Sequence, residues 1–204
     1  ECDIVVTNPP FSLMKEYIPL LAESGKQFLV LGNMNHITFK EIFHYFRENK
    51  MWLGYNAGHF WFKVPDYYEA KNTDYKQDED GQKWRRLGNI CWFTNMDIDI
   101  RHQFLDLYKH FSIQEYPEYD NYDAYFVKTV ADIPCDTDKP LAVPITFLSS
   151  FSPDQFELLD ANQFRKNDEV HVKSHGLIKD KDGTIKGKAT YARLLVRNRN
   201  PEKE

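Results

Sequence analysis

The stretch Asp3-Ile4-Val5-Val6-Thr7-Asn8-Pro9-Pro10-Phe11 sets the fold class of this 204-residue chain. Ile4 to Val6 is a short β-branched apolar run, the pattern of a buried parallel strand. Two consecutive prolines can continue neither a strand ladder nor a helix interior, so the chain must turn there. Ser12 is a candidate N-cap, and Glu16 falls in the first turns of the helix that should follow. Strand, rigid turn and helix together are an α/β unit. The turn then lies at the carboxyl end of a parallel strand, where open α/β sheets bind ligands. Taken alone, a Pro-Pro tetrapeptide can also be no more than a stiff surface loop.

Asn8-Pro9-Pro10-Phe11 resembles the motif with which several classes of N-methyltransferase hold a planar nitrogen. The ten residues from Asp3 to Ser12 resemble, more specifically, the catalytic motif of adenine-specific DNA methyltransferases of the EcoRI modification-methylase type. The likeness continues through Phe28-Leu29-Val30-Leu31-Gly32-Asn33-Met34-Asn35 and Ile37-Thr38-Phe39-Lys40-Glu41-Ile42-Phe43. It recurs in Trp92-Phe93-Thr94-Asn95, Tyr119-Asp120-Asn121-Tyr122-Asp123-Ala124 and Val143-Pro144-Ile145-Thr146-Phe147-Leu148, and ends in Tyr191-Ala192-Arg193-Leu194-Leu195-Val196-Arg197. These blocks cover most of the chain in order. The resemblance implies an α/β fold: the C-terminal half of a Rossmann-like class I methyltransferase sheet, followed by a smaller mixed, β-rich segment. It also implies S-adenosylmethionine as methyl donor, double-stranded DNA as substrate and N6-methyladenine as product. The biological setting it implies is bacterial restriction–modification beside a cognate restriction endonuclease, or a solitary methylase.

The chemistry of the tetrapeptide fits that implication. An adenine amine is a poor nucleophile because its lone pair is delocalised into the ring. Two acceptors that take its two N–H bonds draw the nitrogen toward tetrahedral geometry and aim the lone pair at an electrophilic methyl group. The Asn8 side-chain carbonyl is one acceptor. The main-chain carbonyl of Pro9 is the other, held by the fixed φ of Pro9 and Pro10. Phe11 offers a flat face for a base taken out of the duplex. Asn8 is no strong base, so catalysis rests on orientation and electrostatics, with the proton lost after transfer.

One expected part is missing. Methyltransferases of this type bind the donor on a glycine-rich turn, but no Gly-x-Gly occurs here; Gly54/Gly58 and Gly183/Gly187 are each separated by three residues. The chain begins at Glu1, directly on the motif strand. The expectation is a C-terminal fragment, with the main donor-binding motif upstream of residue 1 and the chain alone inactive. Its first strand would then be an unpaired apolar edge.

Composition gives the remaining bounds. An apolar fraction of 42% with 28% charged residues is that of a soluble globular protein. No membrane span and no signal peptide is visible. Cys2, Cys91 and Cys135 are odd in number, lack metal spacing, and read as reduced buried thiols of a cytoplasmic protein. The formal net charge of −5 is unevenly spread: residues 1–164 carry 15 Lys and Arg against 25 Asp and Glu, whereas 165–199 carry 10 against 4. A basic terminal segment on an acidic body is the asymmetry expected when one face meets phosphates. A solvated tail has the same composition.

Along the chain, 13–24 reads as a helix with Leu13, Tyr17, Leu20 and Leu21 on one face, stopped by Gly25. Phe28 to Leu31 is a second buried strand, parallel to the first. Thr38 is a candidate cap for a helix over 39–49 with Ile42, Phe43 and Phe46 inward, and 51–55 reads as a third strand. Residues 63–88 form a long polar insertion before a strand over 89–94, the two strands matching the antiparallel pair that closes a methyltransferase sheet. His102 to Phe111 reads as a short helix, and residues 113–148 as irregular with short strands. Ser152 to Phe156 looks like the start of a small helix, and 176–197 like a hairpin turning at Asp182-Gly183. The organisation expected is residues 1–112 as the catalytic half-domain and 113–204 as a target-recognition segment.

Further candidates complete the site. Asn33 and Asn35 should emerge on the rim that carries Asn8, either touching the base or simply turning the chain. Trp92 or Phe93 can sandwich the base or pack the core. Arg85, Arg86, Lys186, Lys188, Arg193 and Arg197 are candidate phosphate contacts. Asp66, Glu69 and Lys71 echo a nuclease site, but the two acids are too close in sequence. His171 and His175 lack a third ligand, so no metal is expected. Two other classes stay open: an N-methyltransferase acting on protein glutamine or RNA guanine, and a catalytically inert DNA-binding module.

Overall fold

The computed structural model describes residues 2–55, 57–69, 74–119, 123–161, 177–179, 185–188 and 193–202, with backbone alone at 58–59, 177–179 and 185–188. It is a mixed α/β structure with two mixed sheets and few helices. Strand β1 (Ile4–Thr7) pairs parallel to β2 (Gln27–Asn33), with Thr7 beside Val30. Between them runs helix α1 (Met14–Glu23), entered through a 3-10 turn at Phe11–Leu13. Its stop lies at Gly25, where φ is +70°, a left-handed conformation that glycine adopts without steric cost. Helix α2 (Lys40–Arg47) follows β2 and a 3-10 turn, with Ile42, Phe43, Tyr45 and Phe46 buried. The Tyr45 hydroxyl donates to Glu23 at 2.9 Å and ties α2 to α1.

Strand β3 (Trp52–Leu53) is shorter than the expected 51–55. Strands β4 (Gly58–Lys63) and β5 (Tyr75–Gln77) fall partly within the stretch read as an insertion, and β6 (Lys83–Thr94) is twelve residues long rather than six. β6 organises the sheet. Its second half pairs antiparallel with β2, Asn33 beside Ile90 through Leu29 beside Thr94, and with β3 on the other side. Its first half lies between β4 and β5, antiparallel to both.

The second sheet contains β7 (Tyr125–Phe126), β8 (Leu141–Pro144), β9 (Phe156–Ala161) and β12 (Arg193–Asn198) in the order β7-β8-β12-β9. Between β9 and β12, strands β10 (Leu177–Lys179) and β11 (Ile185–Lys188) pair antiparallel, in agreement with the start of the expected hairpin. β12 leaves that hairpin because its apolar residues Leu194 to Val196 are buried between β8 and β9. One hydrophobic cluster joins Phe28, Phe93 and α2 to Phe147, Phe156 and Leu194, so it runs across both sheets.

Several local expectations fail for tertiary reasons. β1 is a strand with a parallel neighbour but is not buried: Ile4 and Val6 are 46% and 66% exposed. Neither Ser12 nor Thr38 caps a helix; Pro10 and Phe39 precede the helical turns, and the Thr38 hydroxyl donates to the Asn35 carbonyl. The 3-10 entry rotates α1, so Met14, Ile18 and Leu21 face the core while Leu13 and Leu20 face water. His102 to Phe111 forms only the end of a 3-10 turn at Asp99–His102 and then extends. There the Gln155 amide takes both main-chain groups of Leu105, N–H to Oε1 and Nε2–H to C=O, each at 2.7 Å, and replaces the helix ladder. Ser152 to Phe156 makes a turn closed on the Ser152 carbonyl and then enters β9. Cys91 and Cys135 are buried free thiols, but Cys2 is exposed. No helix among the described residues is long and apolar enough to cross a membrane.

Gly32 shows how tightly β2 is packed. A Cβ there would stand 2.4 Å from the Phe93 ring and 3.0 Å from the Met14 methyl, and both side chains are fully buried. We therefore expect Gly32→Ala to cost about 1–3 kcal/mol, the scale for overpacking a core. Urea unfolding checks it; wild-type stability would mean that the ring can yield.

Candidate active site at the carboxyl rim

The parallel pairing of β1 and β2 brings their carboxyl ends to one rim. Asn8 leaves β1 exposed, Pro9 is buried, and Pro10 opens the 3-10 turn with its carbonyl accepting from Leu13 N–H at 3.0 Å. Both peptide bonds are trans. Among the described residues, neither the Asn8 side chain nor the Pro9 carbonyl has a protein hydrogen-bond partner. These are the two acceptors that the chemistry requires. The prolines stiffen the backbone between them, so their spacing costs little further ordering.

Phe11 is 37% exposed, so one part of its ring faces solvent. The ring is held edge-on by His36, centroids 5.2 Å apart at 86°. His36 in turn packs on Phe39 at 5.3 Å, and the Lys15 ammonium sits 4.6 Å over Phe39. This chain of rings fixes the plane that Phe11 offers to a ligand.

His36 was not singled out from the sequence. Its role comes from the rim turn after β2. The Asn33 side chain accepts from Asn35 N–H at 2.9 Å, and His36 Nδ1 accepts from Asn33 N–H at 3.3 Å, a reciprocal capping box. The signal was present as Asn33-Met34-Asn35-His36, a cap residue followed three positions on by a side chain able to accept. Because Nδ1 accepts, the neutral ring carries its proton on Nε2. Burial moves its pKa below the ordinary value.

The other candidates are distributed as follows. Asn33 lies on the rim, and its side chain is engaged in the turn, whereas Asn35 is exposed there. Phe93 is fully buried, edge-on to Phe46 at 5.9 Å, and cannot reach a base. Trp92 lies on the opposite side of the sheet beside Leu31 and is half-buried. Their block acts structurally: Thr94 Oγ1 donates to Phe28 C=O at 2.7 Å, and Asn95 accepts from Phe28 N–H and donates to Lys26 C=O.

Of the cations, Arg86 pairs with Asp74 at 2.8 Å and Arg85 lies over Tyr68. Arg193 is no phosphate contact: it is buried, donates to the Val127 carbonyl at 2.7 Å and covers the Phe126 ring. Desolvation lowers its guanidinium pKa from the ordinary value. Arg197 is exposed and paired with Glu157 at 3.4 Å. The side chains of Lys186 and Lys188, together with Lys71, His171, His175 and the turn at Asp182-Gly183, lie outside the described residues. Asp66 and Glu69 sit on the loop after β4, where the Asp66 carbonyl accepts from Lys83.

Away from the rim, His110, Cys135 and Asp136 bring their ligand atoms within 4.8 Å of one another. The imidazole Nδ1 is already engaged by the Asp136 carboxylate at 3.1 Å, and the other carboxylate oxygen accepts from Phe111 N–H.

Comparison with known proteins shows the family. A family model described as adenine-specific methyltransferase EcoRI matches residues 1–199. The type II methyltransferase M.EcoRI of Escherichia coli is 43% identical over 205 residues, covering 98% of this chain and 59% of the relative. M.MpnI of Mycoplasma pneumoniae is 38% identical over 98% of the chain and 65% of the relative. M.MgeORF184P of Mycoplasma genitalium is 36% identical over 97% and 65%. The chain thus spans 59% to 65% of the length of these curated relatives. No solved structure matches it significantly.

Two outcomes follow from the side-chain roles. A histidine whose folded pKa is depressed contributes stability above its unfolded pKa, near 6.5, and that stability is lost as pH falls below it. Urea midpoints should therefore drop as pH falls below about 6.5 more steeply in the wild type than in His36→Gln, which keeps an acceptor at the capping position. Equal acid dependence would remove His36 from the account. Arg193→Met should destabilise the fold by about 1–3 kcal/mol, since the Val127 carbonyl loses its donor. It should leave the salt dependence of any DNA binding unchanged.

Proposed function

Because the chain belongs to the EcoRI family of adenine-specific methyltransferases, we propose that it forms the acceptor half of an enzyme that methylates adenine N6 in double-stranded DNA. The observation that carries this reading is the pair of unpartnered acceptors, Asn8 Oδ1 and Pro9 C=O, beside the fixed and partly exposed ring of Phe11. A flipped adenine stacked on Phe11 presents its amino group to both acceptors. They bind the two N–H bonds and localise the lone pair, a stabilisation that grows as positive charge develops on nitrogen. No base is needed at the moment of transfer; the proton leaves afterwards to solvent at this exposed rim. The enzyme's setting in this reading is the cytoplasm of a bacterium, in restriction–modification beside a cognate endonuclease.

S-adenosylmethionine is the donor in this reading, supplying a sulfonium-bound methyl as the electrophile. The residues present do not make its cradle: no Gly-x-Gly occurs in the chain, and β1 exposes Ile4 and Val6. In this reading residues 1–112 are the C-terminal half of a Rossmann-like domain and 113–204 a target-recognition segment, and the distribution of side chains on the first sheet supports the former. α1, α2 and the buried Phe28, Val30 and Phe93 share one side of that sheet. Ile4, Val6, Leu29, Leu31 and Trp92 lie on the other side and are at least partly exposed. A doubly wound sheet carries its second helical layer there. In the same reading the 204-residue chain by itself binds the donor only weakly in calorimetry and does not turn over.

The decisive experiment uses the intact protein, unmethylated duplex DNA and isotopically labelled S-adenosylmethionine, with nucleosides identified by mass spectrometry. Labelled N6-methyladenine is expected, and Asn8→Ala should lower kcat by about 10²-fold or more while duplex affinity persists. Donor binding without label in DNA would overturn the assignment and point to an RNA or protein acceptor.

A further inference from the structure

Strand β6 runs past the rim. Its residue Ile90 pairs with Asn33, the last residue of β2, so residues 83–89 extend beyond the carboxyl ends of β1 and β2. Seven residues of strand reach roughly 20 Å. With β4 and β5 on either side they make a three-stranded ribbon standing on the rim that carries Asn8 and Phe11.

The two faces of this ribbon differ. One is covered by residues 66–68 of the loop after β4. The Lys83 ammonium donates to the Asp66 and Tyr68 carbonyls, and Arg85 lies over the Tyr68 ring. The other face holds Trp61, Lys63, Lys76, Trp84 and Arg86, cross-strand neighbours by register: Trp61 beside Arg86, and Trp84 between Lys63 and Lys76. Lys76 lies 4.5 Å over Trp61 and 5.8 Å over Trp84, and Lys63 lies 5.3 Å over Trp84. Trp61, Lys63 and Lys76 are exposed.

A register shift between Gly58 and His59, opposite Asn89 at φ 59°, inverts the alternation along β6. Trp84 and Arg86 therefore fall on the same side of the sheet as Cys91 and Phe93, the side on which α1 packs. The acids nearby set the polarity. Asp74 neutralises Arg86, and Asp78 accepts from Trp84 Nε1 at 2.8 Å. Asp78, Glu79 and Asp80 occupy the turn at the far end. Lys63 and Lys76 are thus the exposed lysines of the shaft, Lys63 within electrostatic reach of the Asp78 carboxylate, and the acidic tip repels phosphate.

We propose that this face is a DNA-gripping arm. A duplex whose adenine enters the rim lies along the shaft, with Lys63 and Lys76 at backbone phosphates and Trp61 and Trp84 against sugars or bases. The inference rests on the DNA-methylation reading and adds the surface that holds the substrate. Phosphate contacts of this kind carry affinity without sequence information.

The test is fluorescence anisotropy of a labelled duplex with the intact protein over a salt series, alongside the methylation assay. Lys63→Gln with Lys76→Gln should reduce the slope of log affinity against log salt by about two, one for each phosphate contact, and Lys63→Arg with Lys76→Arg should restore it. Circular dichroism establishes that each variant is folded, and single Lys→Gln variants serve if the double variant is not. An unchanged slope and affinity in a double variant that still methylates DNA overturns the arm and leaves the enzymatic reading intact. A wild-type protein that neither binds nor methylates duplex overturns both.

Discussion

The antiparallel pairing of β2 with β6 holds the molecule together. β1, which launches the candidate catalytic turn, has β2 as its strand partner, and β2 is in turn fixed by β6. The clamp is more than a backbone ladder. Asn95 bonds Phe28 N–H and Lys26 C=O, Thr94 bonds Phe28 C=O, and the Phe93 ring lies on the bare backbone of Gly32. These contacts come from a segment more than sixty residues downstream of β2. Slippage of β6 by one residue would turn Phe93 out of the core, so the register is set by packing as well as by hydrogen bonds.

On this support the rim is built from constrained pieces. Pro9 and Pro10 limit the backbone torsions of the turn, the Asn33–His36 box closes the next turn, and the Phe11–His36–Phe39 ring contacts join the two. Among the described residues the candidate site contains acceptors and an aromatic face but no strong base. That composition suits a reaction in which orientation and charge stabilisation dominate, and in which a weak nucleophile must be held rather than deprotonated. His36, neutral and buried, serves the site by position.

β6 has two functions along one strand. Its second half is core; its first half is the centre of a projecting ribbon. The bulge at Asn89 joins the two and reverses which residues face which side. The distribution of cations follows from this. The C-terminal arginines that look basic in sequence are taken up by a buried carbonyl contact and a surface ion pair, at Arg193 and Arg197. Among the described residues, Lys63 and Lys76 of the ribbon are exposed.

The sequence alone determined the parallel strands, the Pro-Pro turn, the stop at Gly25, the apolar side of α2 and the family resemblance, because each rests on local stereochemistry or contiguous residues. Only the tertiary structure decided the rest. The fate of His102 to Phe111 depended on Gln155, fifty residues away from Leu105, and the burial of Phe93 depended on a missing side chain at Gly32. The phase of α1 depended on a single 3-10 turn, which rotates every later residue relative to the core. The length of β6 and the facing of its ribbon depended on a bulge and on two partner strands. Backbone polar groups must be satisfied somewhere, and when the partner lies far along the chain no local pattern records which one it is.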